Sequence, residues 1–255
     1  MKILGRVAAF YGLTFVFTII LAIVQEATGL DAEKIILPQL GPGIAAVVMI
    51  AWFRSDNLKI SIVPKRVSFS KYLVAFGLPM LVATLLFLIY SQFIQPLTMS
   101  FPQAASLTIM LGGMLLGALG EELGWRSYLQ NLLDKRLNGM AAFLLVGILW
   151  GLWHVGNYQN GVLYMLFFTL ATIGYSATMA WLFRDDDYNV VLAGLFHFAI
   201  SLGYFMLRDA LADLRFMALN GLVWIGIAAL IVLFRKEDFL RASSENGMGR
   251  HHFKM

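Results

Sequence analysis

The feature that most constrains this chain is the recurrence of apolar runs long enough to cross a lipid bilayer. A helix needs about 20 apolar residues to span a hydrocarbon core roughly 30 Å thick. Eight stretches approach that length, near residues 4–24, 36–53, 72–94, 104–126, 140–157, 162–183, 189–207 and 216–234. Gly, Pro and charged residues punctuate them, as in Gly41-Pro42-Gly43 and Asp185-Asp186-Asp187. Inside a bilayer the backbone finds no water to bond, so such segments must satisfy themselves as helices. The expected fold is therefore all-α, a polytopic membrane helical bundle of about eight transmembrane helices. A chain that is 60% hydrophobic and 13% charged, with a mean hydropathy of +0.76, fits that class and no water-soluble one. No internal repeat or long linker interrupts it. One integral membrane domain over residues 1–255 is expected, with a motif-bearing core at 104–205 and a tail at 235–255. The first run, Leu4 to Val24, is too long for a signal-peptide core and lacks a small-residue cleavage pattern behind it. It is expected to remain in the mature protein.

The basic residues set the orientation, because short loops rich in Lys and Arg stay in the cytoplasm. Lys2, Arg6, Arg54, Lys59, Lys65, Arg66, Lys71, Arg126, Lys135, Arg136, Arg184, Arg235, Lys236, Arg241, Arg250 and Lys254 fall on one side of the expected bundle. Lys34, Arg208 and Arg215 fall on the other. Both termini are expected in the cytoplasm, in a multi-pass protein of the cell membrane. The net charge of +4 then reads as topology, and no nucleic-acid partner is expected. The absence of cysteine excludes a disulfide framework, a thiolate metal site and a Cys nucleophile.

Five ionisable residues lie well inside these spans: Glu121, Glu122, Arg126, His154 and His197. Such groups are costly in a membrane, turn to the bundle interior and are functional candidates by default. A tight basic turn, roughly Asp134 to Gly139, makes spans four and five an antiparallel hairpin. At a rise of 1.5 Å per residue, Glu122 and His154 lie about 18 and 22 Å from that turn, and His197 about 13 Å from the start of its own span. All can share one cavity, expected to open towards the cytoplasm. Glu122 and Arg126, four residues apart, are expected to form an ion pair on one helix face. Glu121 is turned by about 100° and escapes that pairing. An unpaired carboxylate in a low-dielectric cavity, beside two imidazoles, suits a general base that activates water.

These residues also carry a resemblance. Glu121-Glu122-x-x-x-Arg126, within GEELGWRSYLQ, resembles the first motif of the CAAX prenyl endopeptidase and bacteriocin-processing family of intramembrane proteases. Trp150-x-x-x-His154 is similar to its second motif, and His197 with Ser201 falls where the family has a histidine followed four residues later by Asn or Asp. The resemblance covers about residues 104 to 205. It implies an intramembrane endopeptidase in which Glu121 and His154 activate water, Glu122 and Arg126 hold Glu121 in place, and His197 with residue 201 binds the oxyanion. Ser201 departs from the pattern. Serine is shorter than asparagine and lacks its NH2 donor, so a weak or inactive family member is the alternative reading.

Glu121, His154 and His197 are also the candidate ligands for a metal. A His2Glu zinc site and a metal-free glutamate mechanism both remain open at this point, although no His-Glu-x-x-His helix is present. The implied partners are membrane lipids and a peptide or protein substrate, either a lipidated C-terminus or a peptide precursor. Two other classes compete: an immunity or regulatory membrane protein that binds peptides without cutting them, and a proton-coupled transporter with Glu121 and the histidines as relay. The blander alternatives are a structural Glu122–Arg126 pair and packing histidines. Gly174-Tyr175-Ser176-Ala177 ends in Ala where a Gly-x-Ser-Gly nucleophile motif has Gly, and is discounted.

Overall fold

The structure, a computed structural model, describes residues 2–32, 34–53, 58, 60–62, 67–101 and 104–240. The basic residues Arg54, Lys59, Lys65, Arg66, Arg241, Arg250 and Lys254 and the tail histidines His251 and His252 lie outside the described residues. Among the described residues there is no strand, and the helices follow the apolar runs. They are α1 (Ile3–Thr28), α2 (Gly41–Trp52), α3 (Phe69–Phe93), α4 (Ala104–Glu122), α5 (Asn131–Asp134), α6 (Gly139–Trp153), α7 (Val162–Phe183), α8 (Val190–Met206), α9 (Leu214–Phe234) and α10 (Lys236–Leu240). A π-helical stretch, Leu123–Gln130, joins α4 to α5 without a break. The chain is an all-α membrane bundle.

Eight apolar helical stretches follow the order of the eight expected spans. Five are long enough to cross alone: Ile3–Thr28, Phe69–Phe93, Leu107–Asp134, Val162–Asp186 and Leu214–Phe234. Leu37–Trp52, Gly139–Trp153 and Val190–Met206 are shorter, so the helices do not by themselves fix eight full crossings. The fourth span also runs past Arg126 to Asp134, and the turn to α6 occupies 135–138.

Burial sorts the helices. In the most apolar window of α7, 67% of residues are buried, against 17% for α1 and 22% for α3. α7 is therefore the central post, packed on α6 and α9, while α8 packs on α3 and α4. α1 and α3 turn Ile19, Ile23, Leu81 and Leu88 outwards, an apolar surface suited to lipid chains. Caps fix where the site helices begin. The Asn138 side chain accepts from Ala141 N (2.8 Å) at the start of α6, and Asn189 accepts from Val191 N and Leu192 N (3.0 and 3.2 Å) at the start of α8.

Small residues permit the closest backbone approaches, as is usual where no hydrophobic drive separates helix from lipid. Gly124, in the π-helical stretch, lies against Pro42 of α2. A Cβ built there would sit 2.6 Å from the Pro42 carbonyl carbon and oxygen. Gly112, on the same run of helix, faces open space. Gly124→Ala should thus destabilise by about 1–3 kcal/mol, the usual cost of overpacking, while Gly112→Ala should be neutral or stabilising. Thermal unfolding in detergent distinguishes them; equal midpoints for the two variants would show that α2 does not press on this turn.

Candidate functional site

Glu121 and Glu122 end the α-helical part of α4, immediately before the π-helical stretch, a rare local geometry often found at functional sites. Both carboxylates are fully buried, as is Arg126. Glu122 Oε1 accepts from His197 Nδ1 of α8 at 2.8 Å, and its Oε2 lies 3.3 Å from Arg126 Nε. The expected i,i+4 pair is present, and a histidine has joined it. Arg126 Nε also contacts Met179 Sδ (3.0 Å) of α7, while its guanidinium lies 4.3 Å from the Trp150 ring centroid. Nη1 and Nη2 have no hydrogen-bond partner among the described residues. The cation is thus held by a carboxylate, a sulfur and a π face.

Glu121 is treated differently. Its Oε2 accepts from the Trp150 indole N–H at 2.8 Å. Its Oε1 is buried and without a hydrogen-bond partner among the described residues. A bare buried carboxylate oxygen is uncommon and calls for a donor such as water.

Trp150 is the hub. From the last turn of α6 its indole reaches Glu121, lies under Arg126, and places its ring 5.1 Å from that of His197 and 6.1 Å from that of His154. His154 caps the C-terminal end of α6, where its Nδ1 bonds the Trp150 carbonyl oxygen at 2.8 Å. A carbonyl only accepts, so Nδ1 carries the proton, and in the neutral ring Nε2 keeps a basic lone pair. Phe168, with its centroid 4.8 Å away, packs on the same ring.

A cavity of about 410 Å³ adjoins this cluster. Trp150, His154, His197 and Ser201 line it, with Tyr175 of α7 and Tyr204 of α8. Glu121, Glu122 and Arg126 do not. The carboxylates and the guanidinium lie one layer deeper, behind the Trp150 indole, so the expected common cavity is divided between a lining shell and a buried shell. Glu121 is joined to the cavity wall through the Trp150 indole, whose ring lies beside both imidazoles.

The opening of the cavity also corrects the expectation. Gln159, Asn160, Arg208 and Ala212, its exposed lining residues, belong to the α6–α7 and α8–α9 connections. That is the end of the bundle opposite the Lys135–Arg136 turn, and hence opposite the end to which the basic residues assign the cytoplasm. The physical reason lies in α6, which ends at Trp153, so His154 sits at the far rim, and the His197–Ser201–Tyr204 stripe of α8 continues towards the same rim.

Tyr175 and Tyr204 were not among the sequence candidates. Their hydroxyls are 2.8 Å apart, and Asn220 Nδ2 of α9 donates to both, at 3.3 and 2.9 Å. One phenolic proton bridges the two oxygens, and the other is left to donate into the cavity. The signal available was spacing: Tyr204 is three residues beyond Ser201 and seven beyond His197, all on one helical stripe. Trp150 stood in the sequence as the aromatic of a motif, and its shared face with His154 at i,i+4 was legible. Met179 and Asn220 carried no signal.

Among the described residues no three His, Asp or Glu side chains converge as a metal ion requires. Glu121 Oε2 is committed to Trp150, and Glu122 to His197 and Arg126. Among the described residues Glu121, His154 and His197 do not converge closely enough to fit a His2Glu zinc site.

Comparison with known proteins bears on this site. Residues 102–203 match the family described as type II CAAX prenyl endopeptidase Rce1-like. The chain is 31% identical over 137 residues to CAAX prenyl protease 2 of Methanococcus maripaludis, covering 49% of each. It is 28% identical over 239 residues to lysostaphin resistance protein A of Staphylococcus epidermidis (89% of this chain, 61% of the relative), and 26% identical over 239 residues to that of Staphylococcus haemolyticus (88% and 65%). The chain spans about half to two thirds of the length of these relatives. The matched segment runs from the start of α4 to the end of α8 and so contains every motif residue of the cluster. Through residues 102–203, this multi-pass membrane protein is similar to the Rce1-like type II CAAX prenyl endopeptidases.

Proposed function

We propose that the chain is an intramembrane endopeptidase in which Glu121 activates water for attack on a peptide carbonyl. The observation that carries this reading is the asymmetry of the two buried carboxylates. Glu122 has a partner at each oxygen, a hydrogen bond from His197 at Oε1 and the Arg126 guanidinium at Oε2 (3.3 Å, an ion pair without a hydrogen bond). Glu121 is bound at one oxygen by Trp150 and has neither kind of partner at the other among the described residues. A fixed carboxylate with one free, desolvated oxygen is what a general base requires.

In the proposed reaction a water sits between Glu121 Oε1 and the imidazoles at the inner end of the cavity. Glu121 takes one proton as the water oxygen bonds the carbonyl carbon, and the former carbonyl oxygen becomes an oxyanion. The Nε2 lone pair of His154 accepts the second hydrogen bond of the water and orients it. Collapse of the tetrahedral species breaks the C–N bond, and the proton on Glu121 passes to the departing amine. The products are a carboxylic acid and an amine.

His197 Nδ1 donates to Glu122, so its Nε2 can donate to the oxyanion only as an imidazolium. Ser201 and the free phenolic proton of the Tyr175–Tyr204 pair are the other donors facing the cavity.

A second reading, a membrane factor that binds peptides without cutting them, draws support from Ser201 in place of the family's Asn or Asp and from the position of Glu121 behind Trp150. Purified protein in lipid vesicles, offered a peptide library and analysed for new termini by mass spectrometry, separates the two. Glu121→Gln should lower turnover by about 10²- to 10⁴-fold while keeping the unfolding midpoint of the wild type; undiminished cleavage would remove Glu121 from the mechanism. In the same assay Ser201→Asn, which adds an N–H donor, should raise turnover by roughly tenfold or more, and Tyr204→Phe should lower it. No cleavage by either wild type or Ser201→Asn would leave the binding reading in its place.

A further inference from the structure

We infer that the site is served from the non-cytoplasmic side of the membrane, and that its substrates are peptide segments exposed or exported there. The substrate class rests on the peptidase reading given above; the sidedness rests on two independent observations.

The first is where the cavity opens. Its exposed lining residues come from the connections at 155–161 and 208–213, joined by Gln39 from the turn that precedes α2. These segments lie at one end of the bundle. Tyr164 OH donates to Leu211 O (2.7 Å), tying the start of α7 to the α8–α9 connection, and Ser100 N donates to Met206 O (2.8 Å), tying the segment before α4 to the end of α8.

The second is charge. The opposite end of the bundle gathers the start of α1, the start of α3, the α5–α6 turn and the α7–α8 connection. Lys71 pairs there with Asp186, Arg184 lies 3.7 Å from Asp134, and the Arg184 guanidinium lies over Phe239 (5.6 Å). Among the described residues, Lys2, Arg6, Lys71, Lys135, Arg136, Arg184, Arg235 and Lys236 belong to that end. The three at the cavity end each have an aspartate beside them: Lys34 with Asp31 (2.9 Å), Arg208 with Asp209 (4.0 Å) and Arg215 with Asp213 (2.6 Å). An end so rich in basic residues is retained in the cytoplasm, so the cavity end is the translocated one.

The rim suits a polypeptide. Gln39, Asn157, Gln159 and Asn160 present carboxamides, each with donors and an acceptor, to match the alternating N–H and C=O groups of an extended backbone. Arg208 adds a cation that would favour an acidic side chain or a terminal carboxylate. A cytosolic C-terminus, lipidated or not, would approach the end of the bundle opposite this rim.

The chain contains no cysteine, so a single introduced thiol is a unique reporter. Gln159→Cys and Ala212→Cys at the rim, and Arg136→Cys at the opposite turn, should be expressed in cells and treated with a membrane-impermeant maleimide. Each signal is normalised to labelling after detergent solubilisation, which also shows that the variant accumulates. The inference expects 159 and 212 to label in intact cells and 136 only after permeabilisation. Labelling of 136 in intact cells with 159 and 212 protected overturns it. Labelling needs no turnover, so an inactive protein labelled at 159 from outside would sink the peptidase reading and leave the sidedness standing.

Discussion

The carboxylate of Glu122 is the constraint on which the rest of the structure depends. A lone charge this deep in an apolar bundle is untenable, and Glu122 is held by Arg126 on its own helix and His197 on α8. That sharing sets the spacing between α4 and α8. It also requires room for a buried guanidinium, which Met179 of α7 and the face of Trp150 of α6 provide. Four helices therefore converge on one charge. Once Trp150 lies against Arg126, its N–H falls on Glu121, leaving that carboxylate with one bound and one bare oxygen. Breaking such a network by removing one partner typically costs about 3–5 kcal/mol, because the other charge is then stranded.

The same arrangement separates support from chemistry. Glu122, Arg126 and Met179 are packed away from the cavity, and in the proposed reaction they hold the others in place. His154, His197, Ser201 and the Tyr175–Tyr204 pair face it. Glu121 is buried with the first and linked to the second through the Trp150 indole. The π-helical stretch that follows it lets Gly124 meet Pro42 of α2, so the packing of α2 also bears on where this carboxylate stands.

Much of this was legible in the sequence because helical spacing is a strong geometric statement. Four residues between Glu122 and Arg126, or between Trp150 and His154, put each pair on one face before any coordinates are considered. The apolar runs announced a membrane bundle, and the depth arithmetic brought Glu122, His154 and His197 to nearby levels. What escaped was whatever depends on how helices rotate against each other. Nothing in a one-dimensional pattern says that the Trp150 indole would cover the carboxylates, that α4 would widen into a π-helix, or that Asn220 would meet two phenols. The cavity mouth was misplaced because rise along a helix gives depth, not the direction of access; the capping position of His154 and the polar α6–α7 connection decide that. Crossing number suffers likewise, since α2, α6 and α8 are shorter than a bilayer and their placement is tertiary.

In the proposed reaction a water activated at Glu121 is added to a peptide bond. The most direct test is to grow cells carrying the wild type or Glu121→Gln in ¹⁸O-labelled water and compare peptide C-termini by mass spectrometry. The account predicts a set of cleaved peptides, present with the wild type and missing with the variant, whose new carboxyl groups carry solvent oxygen. Identical peptide sets from the two cultures, with the variant protein folded and at normal abundance, would contradict it.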